Sequence, residues 1–157
     1  MDCPFLVGEH VYLRPLDEAD LDRCMRWIND PDLLPFLMRR TPMPRSAERE
    51  WLLDQGKSET SFSVAIVLKD GDRHIGNAGL HGIHPFNHSA EFGIFLGEAD
   101  VREKGYGTEA ARLLLEHGFR ELGLHRIQLH VYAFNARARR AYEKLGFRAE
   151  GTKREAY

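Results

Sequence analysis

A charged stretch with two glycines, near the middle of the chain, is the first candidate for ligand chemistry. It reads V-R-E-K-G-Y-G-T-E-A at 101–110 and runs into apolar residues at helical spacing. The first turn of a helix carries unpaired backbone N–H groups and a partial positive charge, and glycine lets a ligand approach that backbone closely. The stretch therefore predicts a site for a phosphate-bearing cofactor without indicating which one.

A second candidate set lies one predicted strand further along the chain. Asn135, Ala138 and Tyr142 are spaced i, i+3 and i+7, which places them on one face of a helix. From spacing alone, Tyr142 also fits an ordinary core position in which the ring is packed and the hydroxyl merely finds a partner. These three residues indicate a function only in combination with the glycine loop.

The elements that would position these residues can be read from the apolar pattern. Strands are predicted at 11–16, 61–68, 74–83, 90–97 and 126–134, and a last one begins at Phe147 and runs to about Thr152. Helices are predicted after Asp17, after a capping Ser46, after the glycine loop, and after a capping Asn135 that leads to Gly146. Strands two to four read as an antiparallel meander, and the following strand–helix–strand unit favours a parallel pair. We expect a mixed, mostly antiparallel sheet flanked by helices.

Two other classes of phosphate loop compete for the glycines. The letters G-Y-G-T-E-A at 105–110 formally fit a dinucleotide fingerprint, but the preceding E-A-D-V-R-E-K is charged where a strand is required. The acidic residue expected about 20 positions later is missing, since the next strand ends in Y-A-F-N. The G-K-[ST] of a nucleotide triphosphatase is absent as well. A dinucleotide oxidoreductase remains a disfavoured alternative.

Taken jointly, the motifs resemble the GNAT superfamily of acetyl-coenzyme A dependent N-acetyltransferases. The family's loop pattern [Q/R]-x-x-G-x-[G/A] is matched by Arg102, Gly105 and Gly107. Its downstream pattern N-x-x-A-x-x-x-Y-E-K-x-G-F is matched at 135–147. The opening Y-L-R-P-L-D-E-A-D-L and the strand A-E-F-G-I-F-L-G look like the branch with ribosomal-protein N-terminal and small-amine acetyltransferases. The resemblance covers nearly the whole chain.

That resemblance implies a binding site for the coenzyme. Its pyrophosphate would lie on the backbone N–H groups of residues 104–108, beside Arg102 and Thr108. Its amide-containing pantetheine arm would pair with the strand ending Ile94-Phe95-Leu96, which would also present an N–H to the thioester oxygen. The implied coenzyme-binding residues are Ile94, Phe95, Leu96, Arg102, Lys104, Gly105, Tyr106, Gly107, Thr108, Asn135, Arg137, Ala138 and Arg140. Of the basic residues after Asn135, Arg137 and Arg140 are the candidates for the 3′-phosphate, and the alternative is that these side chains are simply solvated.

The same resemblance assigns Tyr142 as the general acid for the departing thiolate. An attacking ammonium must also lose a proton, and Glu91, in an otherwise apolar strand, is the leading candidate for the base. An ordinary carboxylate at a strand edge is the alternative reading of Glu91. His81, His84 and His88 form a local trio, but turn histidines without a fourth ligand do not predict a metal site. We expect no metal and, because neither cysteine has a neighbouring histidine, no acyl-enzyme.

Length and composition set the remaining limits. The 157 residues fit one domain. The 22 basic and 24 acidic residues nearly balance, so the protein has no large positive potential that would attract nucleic acid. No segment approaches the roughly 20 apolar residues of a membrane span, so a cytoplasmic protein is expected. The family fold has a seventh strand beside the fifth, whereas this sequence ends where the sixth should finish. We therefore expect the C-terminal strand to be missing or short. Either the sequence is truncated there, or another chain covers the gap in a homo-oligomer or by strand exchange.

The predicted activity is transfer of an acetyl group from acetyl-coenzyme A to a primary amine by direct attack in a ternary complex. The acceptor stays open between a small-molecule amine and a protein N-terminus. The alternative from another class is a coenzyme A-binding sensor that has lost turnover.

Overall fold

The computed structural model describes residues 1–156 and builds them around one six-stranded sheet. The strands are β1 Leu6–Val7, β2 Val11–Pro15, β3 Phe62–Leu68, β4 Arg73–His84, β5 Ser89–Leu96 and β6 Arg126–Gln128. The helices are α1 Leu21–Ile28, α2 Arg45–Leu53, α3 Tyr106–Arg120 and α4 Ala136–Lys144. Tyr157, the last residue of the expected domain, lies outside the described residues.

The strands follow one another in chain order across the sheet, and only the last pair is parallel. β1 to β5 pair antiparallel, and β5 and β6 pair parallel through the crossover that contains α3. The predicted mixed, mostly antiparallel sheet flanked by helices is confirmed. This order differs from the doubly wound parallel sheet of a dinucleotide-binding fold.

Alternating side chains supply two cores, one on each face of the sheet. On β2, Val11 and Leu13 point into the larger core beneath α3, and Tyr12 between them points into the smaller core beneath α1 and α2. On β3, Val64 and Ile66 join the first core, whereas Ala65 and Val67 join the second. The sheet therefore has an α3 face, which α4 also covers through Tyr142, and an α1/α2 face.

A buried carboxylate ties the start of α1 to the sheet. Asp20 is 3% exposed and accepts two hydrogen bonds from the Arg14 guanidinium of β2, at 2.9 and 2.8 Å. It also accepts the backbone N–H of Asp17 at 3.0 Å, and Nδ1 of the buried His74 on β4 lies 3.5 Å away. Burial alone would raise the pKa of Asp20, but these hydrogen bonds hold it far below its usual range.

The predicted element boundaries were wrong at several places along the chain. The short β1 was missed because its two residues carry too little pattern. β6 ends at Gln128 instead of continuing to Phe134, and α2 begins at Arg45 with Pro44, not Ser46, in the capping position.

The last predicted strand, from Phe147 to about Thr152, is also wrong, since residues 147–156 form no strand. Phe147 instead packs against the larger core, and Glu150 forms a two-fold ion pair with Arg126 of β6. This segment is therefore held beside β6 by side chains and not by backbone pairing.

Candidate active site

The most distinctive feature of the sheet is the point where β5 and β6 separate. Their parallel pairing covers only Ser89–Arg126, Ala90–Ile127 and Glu91–Gln128. β5 continues to Leu96 with β4 as its partner, so residues 92–96 have no ladder partner on the β6 side. A ligand with amide groups can pair with such an open strand edge. We call the wedge between β5 and the chain after β6 the slot.

The N-terminus of α3 lies at the end of this open edge. Gly105 precedes the helix in the left-handed region, at φ 85°, and no side chain caps it. The first helical hydrogen bond runs from Glu109 N to Gly105 O, so the N–H groups of Tyr106, Gly107 and Thr108 precede it. A Cβ on Gly107 would sit 3.6 Å from Leu96, the last residue of β5. These N–H groups fit a pyrophosphate at the end of the slot.

The charged residues around this terminus are partly engaged with the protein itself. Arg102 directs its guanidinium back to the carbonyl oxygen of Leu96, at 3.3 and 3.4 Å, and so fixes the loop to β5. Arg137 of α4 forms an ion pair with Glu103 of the loop, 3.0 Å between Nε and Oε1. Lys104 and Arg140 are exposed. The structure therefore brings α4 to the loop through Arg137.

Tyr142 lies on the α3 face of the sheet, against β5. Its ring meets Phe92 edge-on at 6.5 Å between centroids and Phe147 edge-on at 5.9 Å. Within residues 1–156 its hydroxyl forms no hydrogen bond, and burial raises the pKa of this tyrosine above its ordinary value. Asn135 caps α4, because its Oδ1 accepts the N–H of Ala138 at 3.3 Å. The carbonyl oxygen of the Asn135 side chain is thus engaged, and its amide nitrogen remains for a ligand.

Glu91 lies on the opposite face, at the point where β5 and β6 separate. Phe92 and Ile94 belong to the core on the α3 face, so alternation turns Glu91, Gly93 and Phe95 toward the α1/α2 face. The carboxylate of Glu91 accepts a hydrogen bond from Nδ1 of His130, at 2.9 Å, and about half of the Glu91 side chain is exposed. Tyr142 and Glu91 therefore approach the slot from its two faces.

The histidines around the β4–β5 turn have separate partners in the structure. His81 is the cross-strand neighbour of Glu91 and bonds to the hydroxyl of Ser61, and burial lowers its pKa. Nδ1 of His84 accepts the backbone N–H groups of Phe86 and Asn87. Among residues 1–156, no three histidine, cysteine or acidic side chains gather as metal ligands would.

Two depressions flank these residues. A groove of about 610 Å³ lies between α3 and the turn that joins β1 to β2, at residues 8–10, and includes Lys104, Gly105 and Thr108, together with Arg112 and Lys144. A cavity of about 250 Å³, which we call the α2 cavity, lies on the α1/α2 face. It is lined by Cys24, Ile28, Arg39, Met43, Glu48, Trp51, Asn77 and Phe95. Because Phe95 is on the open part of β5, the α2 cavity adjoins the strand at the slot.

Comparison with known proteins assigns this arrangement to a family. The family model described as an acetyltransferase (GNAT) domain matches residues 10–148, which include both motifs and every strand except β1. The chain belongs to the GNAT acetyltransferase family. It is an acetyl-CoA dependent acetyltransferase, as the sequence motifs predicted.

Individual relatives within the GNAT family act on different acceptors. The chain is 33% identical over 147 residues to a spermidine N(1)-acetyltransferase of Escherichia coli (strain K12), covering 90% of this chain and 74% of that one. A spermidine N-acetyltransferase of Vibrio cholerae, solved with CoA and spermine, has a similar fold: TM-score 0.84, 24% identity, and coverage of 92% and 84%. So does a ribosomal-protein-S5-alanine acetyltransferase of Vibrio fischeri: TM-score 0.84, 24% identity, and coverage of 99% and 89%. These similarities therefore do not distinguish the ribosomal-protein acetyltransferases from the spermidine acetyltransferases as the nearer branch of the family.

Sequence reasoning misses two side chains, one at the slot and one in the α2 cavity. The pattern places His130 only within a strand, whereas its contact with Glu91 joins residues 39 positions apart. Glu48 stands in the first turn of α2, where an acidic residue favours the helix dipole from an exposed position, yet this residue is 5% exposed and lines the α2 cavity. The signal in the sequence is that its i+3 and i+4 neighbours, Trp51 and Leu52, are apolar, which puts Glu48 on the apolar face of the helix. Along the described chain, no helix is long and apolar enough to cross a membrane.

Proposed function

We propose that this GNAT protein acetylates a primary amine by direct attack on acetyl-CoA in a ternary complex. The observation that carries the proposal is the open edge of β5 leading to the uncapped start of α3. A strand edge for amides, followed by N–H groups for phosphates, matches the order of amides and pyrophosphate in the coenzyme. No other part of residues 1–156 combines these two features with an unpaired tyrosine hydroxyl.

In this proposal the donor lies along the slot. The N–H groups of residues 104–108 and Thr108 hold the pyrophosphate, and Arg102 acts mainly by fixing the loop to Leu96. Residues 94–96 pair with the pantetheine arm. Asn135 and Ala138, at the start of α4, face the pantetheine arm. Arg137 and Arg140 of the same helix lie near the phosphates of the coenzyme.

The reacting groups then lie at the narrow end of the slot. A backbone N–H of β5 donates to the thioester oxygen, on which negative charge grows during attack. Glu91, oriented by His130, accepts the proton of the amine directly or through water. Tyr142 donates its proton to the departing thiolate; a tyrosine hydroxyl is protonated at neutral pH at its ordinary pKa, and burial raises the pKa of Tyr142 further.

The acceptor is a primary amine that enters from the α1/α2 face. This side carries Glu91 and the α2 cavity, whereas Tyr142 and the core occupy the other. The relatives named above include a spermidine acetyltransferase and a ribosomal-protein acetyltransferase. We place the chain in the branch that contains these enzymes.

Thiol release separates this proposal from simple coenzyme binding. The protein is incubated with acetyl-CoA and a panel of amines, and free coenzyme thiol is followed with time. Binding is followed in parallel as thermal stabilisation by acetyl-CoA or NAD. Thiol release that depends on the amine supports the proposal, and stabilisation by acetyl-CoA without turnover on any amine contradicts it.

A further inference from the structure

Glu48 is a carboxylate in an unusual position for a helix surface. It lies on the side of α2 that faces the sheet and is 5% exposed, whereas its neighbours Arg49 and Glu50 are exposed. Within residues 1–156 the Glu48 carboxylate accepts no hydrogen bond and forms no ion pair. Its side chain lines the α2 cavity.

An unpaired buried carboxylate is costly unless something completes it. Transfer of a charged group from water is strongly unfavourable without a counter-charge, and burial accordingly raises the pKa of Glu48. Arg39, the other charged residue of the cavity, is near enough to oppose that rise but directs its guanidinium to the carbonyl oxygen of Thr41, at 3.4 Å. No hydrogen bond or ion pair joins the two side chains, and Nε of Arg39 has no partner within residues 1–156, so the Glu48 carboxylate is left for a cationic group of a ligand and the Arg39 N–H for an acceptor atom.

Glu48 and the open part of β5 contribute different walls of the α2 cavity. Asn77 and Phe95 contribute the wall formed by β4 and β5, and Glu48 and Trp51 contribute the wall formed by α2. Ile28 and Met43 supply apolar surface between these walls. The attacking nitrogen must reach the open edge of β5, so a cation held by Glu48 is a different part of the acceptor. The volume of about 250 Å³ has room for a short carbon chain between the two.

We propose that the α2 cavity binds the acceptor and that Glu48 receives a second, non-reacting ammonium group of it. The preferred substrates are then diamines or longer amines whose second cationic nitrogen is separated from the first by apolar methylenes. Trp51 adds an aromatic ring on the same wall of the cavity. This inference rests on the proposed acetylation of primary amines and specifies the acceptor class.

The test compares a diamine, 1,4-diaminobutane, with butylamine, which has the same chain and a single amine. Calorimetry of the protein saturated with coenzyme A gives the dissociation constant of each amine, and thiol release gives kcat and KM. Glu48→Gln keeps the shape of the side chain and removes its charge. Glu50→Gln, an exposed position two residues along the same helix, is the matched control.

For the diamine, we expect Glu48→Gln to raise both the dissociation constant and KM by about 10-fold or more, since a charge-assisted contact is lost. Butylamine should change less than about 2-fold in both variants, and kcat should be similar to that of the parent protein. Equal effects on the two amines, or no effect on diamine binding, would overturn the assignment of Glu48. Calorimetric binding of the diamine without thiol release would instead contradict the proposed activity and leave the assignment of Glu48 supported.

Discussion

Tyr142 is fixed by two aromatic rings while its hydroxyl is left without a partner in the described protein. The edge-on contacts with Phe92 and Phe147 restrict the ring, so the position of the hydroxyl depends on packing that does not involve it. This separates the structural role of the ring from the chemical role of the oxygen. Phenylalanine would preserve the first and remove the second.

Tyr142→Phe should therefore lower kcat by about 100-fold or more, the usual contribution of a general acid. The dissociation constant of acetyl-CoA and the melting temperature should remain close to those of the parent protein. Steady-state thiol release and calorimetry measure the two quantities. A loss of coenzyme affinity equal to the loss of kcat would assign Tyr142 to packing instead of proton transfer.

Glu91→Gln tests the base on the other face of the slot. Removal of the carboxylate should lower kcat/KM by about 10- to 100-fold near pH 7, where most of an alkylamine is protonated. The deficit should shrink as the pH approaches that of amine deprotonation, since free amine then needs no base. Profiles of rate against pH for both proteins give the measurement. A deficit that is constant between pH 7 and pH 10 would mean that Glu91 orders the strand and does not accept the proton.

The two cysteines should differ sharply in reactivity. Burial raises the pKa of Cys24 to about 11, and only 3% of that residue is exposed, whereas Cys3 is exposed. At pH 8 only about one Cys24 in 1,000 would be a thiolate, and the thiolate is the reactive form. Titration with a chromogenic disulfide should detect one fast thiol in the folded protein and two after denaturation. Two fast thiols in the folded protein would show that the wall of the α2 cavity opens.

At the scale of elements, the start of α3 has open space where a coenzyme would bind. A Cβ on Gly107 would meet nothing closer than 3.6 Å, so the glycine is not required by the fold. Gly107→Ala should leave the free energy of unfolding equal or slightly higher, because alanine favours helix. Acetyl-CoA affinity should fall about 10-fold if the added methyl group blocks approach to the N–H groups. Calorimetry and urea unfolding measure both, and unchanged affinity would place the phosphates elsewhere.

The same elements show what local sequence can and cannot predict. The glycine loop, α3 and the capping of α4 by Asn135 were readable because their signals lie within a few residues. The length of β6 was not, since Leu129 to Phe134 have strand-like composition but separate from β5. Whether a strand pairs depends on its neighbour in space, which local pattern does not contain. The contacts of Glu91 with His130, and of Glu48 with the α2 cavity, were hidden for the same reason.

At the scale of the whole molecule, the side chains of Arg14, Asp20 and His74, which we call the Asp20 cluster, join the helical layer on the α1/α2 face to two strands. It connects the start of α1 with Arg14 of β2 and His74 of β4. His74 in turn contacts the side-chain oxygen of Asn77, 2.7 Å from its Nε2, and Asn77 lines the α2 cavity. A buried polar network therefore positions the wall of the α2 cavity at Asn77. Such a network is stable only when each of its polar groups has a hydrogen-bond partner.

Asp20→Asn should lower the free energy of unfolding by about 3–5 kcal/mol at neutral pH, since it leaves the Arg14 charge without its partner. The folded pKa of Asp20 lies below its unfolded value, so its contribution is present above about pH 4 and is lost as the pH falls further. Urea unfolding of both proteins at pH 7 and pH 3 should give a smaller difference at pH 3. Equal differences at the two pH values would mean that the network does not depend on the charge of Asp20.

The open edge of β5 has a consequence for handling the protein. Unpaired strand edges are templates for pairing with another chain, and here residues 92–96 lack a partner on one side. A ligand that occupies the edge also stabilises the folded form by mass action. Preparations freed of coenzyme should therefore precipitate and be cleaved by proteases sooner than preparations stored with it, so the choice of purification buffer decides which population a crystallographer or enzymologist observes.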